Sequence, residues 1–325
     1  MIRRFKGLFL TSVALLTTHS AYADEGGVSF WLPGLYASFA AVPAEPGWSF
    51  ATVYLHPSVS AGASEAFPRG GDGRVDLGVR GRGDLVAFGP TYTFVQPLWG
   101  AQFAVSLLAV AGRNNACVDA TLTGPLGRHI SGERCDSKTA FGDLLPQATL
   151  KWNDGVDNYL AYITGDIPVG SYDPDRLANL GIGHGAIDGG LGYTYFNPST
   201  MREFSIVGGL TYNFKNTDTD YQNGVDAHID WGASQFLNEH VYVGVAGYAY
   251  QQITGDRGDG ATLGDFKSRV FGFGPQIGYN IDVGEKTSAF INLKTYFEFG
   301  ATNRPQGWNI WATLAFSPRA AKKAE

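Results

Sequence analysis

Polar and apolar residues alternate with a period of two along most of the chain beyond residue 47. Across 289–299, Ala289, Ile291, Leu293, Thr295, Phe297 and Phe299 fall on one face and Asn292, Lys294, Tyr296 and Glu298 on the other. Across 225–235, Val225, Ala227, Ile229, Trp231 and Ala233 oppose Asp226, His228, Asp230 and Ser234. Phe204, Ile206, Leu210, Tyr212 and Phe214 oppose Ser205, Thr211, Asn213 and Lys215 in the same way. Successive side chains of a strand point to opposite faces, so each run presents one apolar and one polar wall. Strands that meet lipid on one side and water on the other have this pattern. No segment after residue 23 is apolar over the roughly 20 residues that a transmembrane helix needs.

The pattern predicts strands at 48–56, 84–96, 101–111, 141–152, 158–169, 185–196, 202–215, 224–236, 241–253, 266–283, 288–300 and 308–316. The connections after even-numbered strands (97–100, 153–157, 197–201, 237–240 and 284–287) are tight. Those after odd-numbered strands (57–83, 112–140, 170–184, 216–223, 254–265 and 301–307) are mostly long. Outer-membrane barrels alternate short periplasmic turns with longer extracellular loops, whereas a soluble sandwich has no reason to gather its short turns at one end. The expected fold is therefore all-β: a transmembrane antiparallel barrel of about twelve strands over 48–316, with both termini in the periplasm. Trp48, Trp99, Trp152, Tyr159, Phe196, Phe236 and Tyr242 would form the periplasmic aromatic girdle. Phe214, Phe266, Phe271, Phe299 and Trp308 would form the outer one.

The flanking segments fit export. Arg3, Arg4 and Lys6 precede a mainly apolar stretch, and Ala21-Tyr22-Ala23 has the small-x-small form of a signal-peptidase site. Residues 1–23 are expected to be removed, which takes the formal charge from −6 to −9 with the loss of those three cations. An acidic chain argues against nucleic acid as a partner. Residues 24–47, with Trp31, Tyr36 and Phe39 among Gly and Pro, read either as a plug within the lumen or as a periplasmic leader against the barrel mouth. Residues 317–325 form a tail. With 44 Gly, 14% aromatics and 17% charged residues, the composition is also unlike that of a helical soluble enzyme.

Candidate chemistry is sparse. Cys117 and Cys135 fall in one predicted outer loop, in a compartment that permits disulfides. A bridge there would close about 19 residues, worth roughly 3 kcal/mol in the chain-entropy model; metal ligation with His129 is the alternative, though incomplete as a site. Alternation aims Lys151, Asp166, Asp188, Lys215, Asp226, His228, Asp230, Lys294 and Glu298 into the lumen. Their mixed signs suit neutral solutes better than a dedicated ion pore. Asp226, His228 and Asp230 share one strand face, and an acid–His pair can activate water. The other reading is a hydrated lining whose carboxylates pair with Lys215. No cofactor, metal or catalytic residue is assigned. Gly181-Ile182-Gly183-His184-Gly185 is similar to a phosphate loop but is followed by no predicted helix.

Glu25-Gly26-Gly27, Leu32-Pro33-Gly34, a first strand at Gly47-Trp48 and the terminal Gly307-Trp308-Asn309-Ile310-Trp311 together resemble the outer-membrane transporters named for the meta-pathway of phenol degradation. The resemblance spans nearly all of the mature chain and implies a barrel that admits aromatic or other poorly soluble compounds; it supplies no catalytic residues. The leading expectation is thus an outer-membrane channel for small, aromatic or hydrophobic compounds. A barrel hydrolase using Asp226, His228 and Asp230 and a structural or adhesive surface protein are the alternatives. Outer-membrane lipid, lipopolysaccharide, the barrel assembly machinery and a small-molecule solute are the expected partners.

Overall fold

The computed structural model describes residues 29–66, 74–123, 128–262 and 267–319. The expected signal peptide, Phe266 and the tail beyond Arg319 lie outside these residues. Twelve strands are present among the described residues: β1 (Gly47–Ala66), β2 (Arg74–Thr93), β3 (Gln102–Thr123), β4 (His129–Asp154), β5 (Asp157–Asp166), β6 (Ala186–Asn197), β7 (Arg202–Asn213), β8 (Asp226–Phe236), β9 (Val241–Gln252), β10 (Arg269–Val283), β11 (Thr287–Thr302) and β12 (Gln306–Pro318). Each pairs antiparallel with the next, and β12 returns to β1, so the sheet closes on itself. Closure leaves no unpaired strand edge, the condition for backbone to cross hydrocarbon as strands.

The surface is apolar outside and polar inside, the reverse of a soluble protein. On β7, Phe204, Ile206, Leu210 and Tyr212 are exposed, while Ser205, Thr211 and Asn213 are buried. On β8 and β11, Ile229, Ile291, Leu293 and Phe297 face outward and Asp226, His228, Asp230, Asn292 and Lys294 are buried. Only a bilayer makes that distribution stable. Tight connections follow the even-numbered strands. The shortest, 155–156, has Gly155 at a φ of 65°, which the abrupt reversal requires.

Two expectations are corrected. Residues 57–83 and 112–140, read as long loops, are largely strand: β1 and β2 stay paired to Ala66↔Arg74, and β3 and β4 to Thr123↔His129. Above the bilayer no lipid imposes an apolar outer face, so the alternation used to delimit strands disappears while the hydrogen-bond ladder continues. The aromatic girdle is also smaller than expected. Trp48, Trp99 and Tyr159 are exposed at the periplasmic end, and Phe214, Phe299 and Trp308 at the other. Phe196, Phe236 and Tyr242 instead turn inward and enclose Phe39, at ring-centroid distances of 5.5, 5.6 and 5.2 Å.

Cys117 and Cys135 are directly opposed across β3 and β4 and form a disulfide, with 4.1 Å between their Cα atoms. They therefore sit on paired strands and not in a loop. Glu133 lies close to both sulfurs, but bonded cysteines offer no thiolate to a metal. Reduction is expected to raise amide exchange in the outer parts of β3 and β4 alone. Loss of protection throughout the barrel on reduction would contradict this placement.

Candidate functional site

Residues 29–43 run inside the barrel, held by side chains from strands on every side, and 44–46 are exposed as they lead into β1. Irregular backbone at membrane depth needs partners for its N–H and C=O groups, because no bulk water is there to provide them. Leu32-Pro33-Gly34-Leu35 forms a turn closed by Leu35 N donating to Leu32 O at 3.2 Å. Pro33 supplies the fixed φ of its second position, and Gly34, at a φ of 90°, the left-handed third. A Cβ on Gly34 would lie 2.7 Å from the Tyr296 ring and 3.0 Å from that of Tyr248. No other residue satisfies both the conformation and the space.

Charged groups grip this turn from two strands. Asp230 of β8 accepts from Gly34 N at 2.9 Å and Tyr36 N at 3.1 Å. Lys294 of β11 donates to Gly34 O at 2.6 Å and Leu35 O at 2.9 Å, and Tyr296 adds a bond to Gly34 O at 3.2 Å. Further along, the hydroxyls of Ser38 and Ser234 are 2.6 Å apart, Phe39 N donates to Glu203, and Ala41 N donates to Thr194. Lys151 donates to Val42 O at 3.0 Å, and Gln102 accepts from Ala44 N at 2.8 Å. With Gln276 of β10, which donates to the Ser38 hydroxyl at 2.8 Å, seven strands thus hold the stretch from Gly34 to Ala44 (roughly 36 Å if fully extended).

Next to the turn, the Trp31 indole stacks on the His228 imidazole, with centroids 3.7 Å apart and planes at 15°. His228 Nε2 is 2.8 Å from Asp188, which also accepts from Thr211. Gly209 makes room: a Cβ there would lie 2.3 Å from the Tyr162 hydroxyl and 2.8 Å from the His228 ring. Asp226, in contrast, takes a bond from Asn213 at 2.9 Å. The three residues considered as a catalytic set on one strand therefore turn to three different partners, and the imidazole face is covered by Trp31.

Of the nine residues aimed at the lumen by alternation, Lys151, Asp188, His228, Asp230 and Lys294 gather around the inner segment, directly or through one another. Asp226 is buried just beyond them. Asp166 is buried at the outer end of β5, and Glu298 accepts from Tyr248 OH and Gly307 N, away from the turn. Lys215 lies past the end of β7, half-exposed, paired with Asp220 of the same loop. It does not reach the carboxylates of β8, because the strand ends at Asn213 and the alternation ends with it. The contributions of Glu203, Thr194, Gln102, Ser234 and Gln276 were missed. Glu203 was recoverable, since it precedes Ser205 by two on the polar face of β7; short neutral side chains carry no such signal.

The outer mouth is bordered by residues 167–185. Arg176 makes a two-pronged pair with Asp136 of β4, at 3.0 and 2.6 Å, and Ala178 N adds a third bond to that carboxylate. Deeper, Asp143 accepts from Gly170 N and Ile182 N. The Arg176 guanidinium holds the Asp136 carboxyl below its usual range. A carboxylate with a lowered folded pKa contributes its stabilisation above the unfolded value and loses it as pH falls through the folded one. Acidification below about pH 3.8, the ordinary Asp value, is expected to expose 170–180 to protease, whereas equal cleavage at neutral and acidic pH in Arg176→Gln would mark loss of the contact. Cleavage of the wild type that does not change with pH would contradict the assignment.

A closed twelve-strand barrel with an apolar outer band and a buried polar interior defines an outer-membrane β-barrel. The family model described as "Putative MetA-pathway of phenol degradation" matches residues 63–314, and the chain belongs to that family. In fold it is similar to an outer membrane channel from Pseudomonas putida F1, at 14% identity over 86% of this chain and 98% of that one, with a TM-score of 0.62. A FadL homologue from Pseudomonas aeruginosa aligns over 83% of this chain and 88% of its own, at 8% identity and a TM-score of only 0.37, too different in shape to add to this. None of the curated proteins matches the chain in sequence.

Proposed function

We propose that the protein is an outer-membrane channel for small apolar molecules, aromatic ones included, whose lumen the inner segment closes to water-soluble solutes. One observation carries this reading. Around the inner segment, Lys151, Asp188, His228, Asp230 and Lys294 are engaged by the segment or by neighbouring strands, and what remains beside them is apolar and aromatic. Leu32 and Leu35 pack against Leu55, Tyr248, Tyr250, Tyr296 and Trp311 on one side. Trp31, Leu160, Tyr162 and Val207 cluster on the other. Aromatic side chains beside a few placed polar groups are the kind of lining that suits small apolar ligands. The expected hydrated ladder of charges gives way to this arrangement, because backbone in the lumen uses the charges as hydrogen-bond partners.

In this reading residues 1–23 are the export signal, 29–43 are the plug, and the assembly machinery inserts the barrel among lipid and lipopolysaccharide. Lumen residues bind and position and do no covalent chemistry. An aryl azide photoprobe applied to the protein in lipid nanodiscs tests the proposal. Labelled peptides should include Tyr248, Tyr250, Tyr296 or Trp311. Labelling confined to outward residues such as Trp48 and Trp99 would overturn it.

A further inference from the structure

The outer extensions of β1 to β4 reverse the polarity of the wall beneath them. Cross-strand partners share a face, and Leu85, paired with Leu55, packs on the interior cluster. Counting outward by twos from Leu85, the inward side of β2 carries Val79 and Leu77. The register aligns these with Val118 and Ala120 on β3 and with Ala61 and Ala63 on β1, while Leu122 pairs with Ile130 of β4. The opposite, outward side carries Arg74, Asp76, Arg80, Asp119 and Glu133, linked by ion pairs, and the disulfide.

In the bilayer the apolar residues face out; above it they face the axis. Leu77 is 50% exposed, Leu122 45% and Ile130 76%, so no described part of the chain covers them. Contiguous exposed apolar surface marks an interaction site. Its charged reverse side excludes lipid as the occupant of the whole extension. Residues 167–185 lie along the same inward side, where Asn114 donates to Asn179 O and Arg134 to Asp175 O, and so border the face toward β4 and leave little room for a folded partner. Downward along β1 and β2 the inward side runs through Val59, Gly81 and Gly83 to Leu85 and Leu55, which join the aromatic cluster of Tyr248, Tyr250, Tyr296 and Trp311, while Asn114, Arg134 and Asp136 flank it on β3 and β4.

We propose that this inward face is a capture surface for small apolar molecules, which concentrates them at the mouth and delivers them down β1 and β2 into the barrel. The proposal rests on the reading of the barrel as a channel for such molecules. It predicts a concentration-dependent role: capture matters when solute is scarce and is irrelevant at saturation.

The test is the initial rate of radiolabelled naphthalene uptake, against concentration, in cells lacking the chromosomal copy and supplied with full-length protein. The Leu77→Thr/Val79→Thr/Val118→Thr variant places a β-branched residue at all three positions and so retains strand preference, and Asp76→Asn on the outward face is the control. The triple variant should raise the half-saturating concentration on the order of ten-fold, with the maximal rate and the control unchanged. An unchanged half-saturating concentration would overturn the capture surface while leaving the channel standing. Failure of wild type to restore any uptake would remove the channel reading and this one with it. A wild-type dimer in light scattering that Ile130→Glu dissociates, with uptake unaltered, would assign the face to a second copy and also overturn the proposal.

Discussion

Deleting residues 29–45 should raise the single-channel conductance of the reconstituted barrel on the order of ten-fold, because the lumen would change from packed to water-filled. The expectation follows from the density of contacts: Asp230, Lys294, Tyr296, Glu203, Thr194, Lys151 and Gln102 all bond to backbone of this one segment. A deletion also removes apolar packing and can impair folding, so a second variant carries the test independently. The Ser38 and Ser234 hydroxyls are 2.6 Å apart, and Ser38→Cys/Ser234→Cys should form a disulfide in air, dissolved oxygen taking up the two electrons and two protons, and hold conductance low. Lack of a 38–234 bridge in mapped peptides, with conductance insensitive to the deletion, would place the segment outside the lumen.

The second large effect separates the two faces of β8. Ile229 is exposed on the lipid side, and Ile229→Arg should destabilise the inserted barrel by about 2–4 kcal/mol if it lies near the midplane. Its neighbour Asp230 points the other way, to the Gly34 and Tyr36 amides. Asp230→Asn should leave the heat-modifiable barrel intact and act on the segment, since an amide oxygen is a weaker acceptor for those two N–H groups than a carboxylate. Unfolding in lipid vesicles, followed by gel mobility before and after boiling, reads both variants. Equal destabilisation by the two would mean that the faces are misassigned.

Much of this architecture was legible because a bilayer forces the period-two pattern on the chain. The alternation at Phe204–Phe214 and Ala289–Phe299 gave strand number, facing and the end at which the tight turns lie. It failed where that solvent ends. The outer halves of β1 to β4 obey an opposite pattern, with Val79 and Leu77 turned inward and Arg80 and Asp76 outward, so a search for lipid-facing runs passes over them. Lys215 failed for a related reason, as parity was continued two residues past the last paired position.

The site was half visible. Alternation placed Asp188, His228, Asp230 and Lys294 in the interior, but it cannot tell a hydrated side chain from one that bonds to distant backbone. Contacts between residue 34 and residues 230 and 294 have no local signature. The Leu32-Pro33-Gly34 motif did carry information, as Pro followed by Gly sets the turn that offers its amides to Asp230 and its carbonyls to Lys294. The inward rotation of Phe196, Phe236 and Tyr242 was likewise a matter of parity, overlooked because aromatic residues near strand ends were assigned to the girdle by position alone.

The central claim, a barrel closed to polar solutes yet open to apolar ones, is tested most directly by paired uptake in one strain lacking the chromosomal copy. Radiolabelled naphthalene at limiting concentration and radiolabelled arabinose are supplied to cells with and without the restored protein. The account predicts that the protein accelerates naphthalene uptake and leaves arabinose at the background rate. Accelerated arabinose uptake with naphthalene unchanged would contradict it.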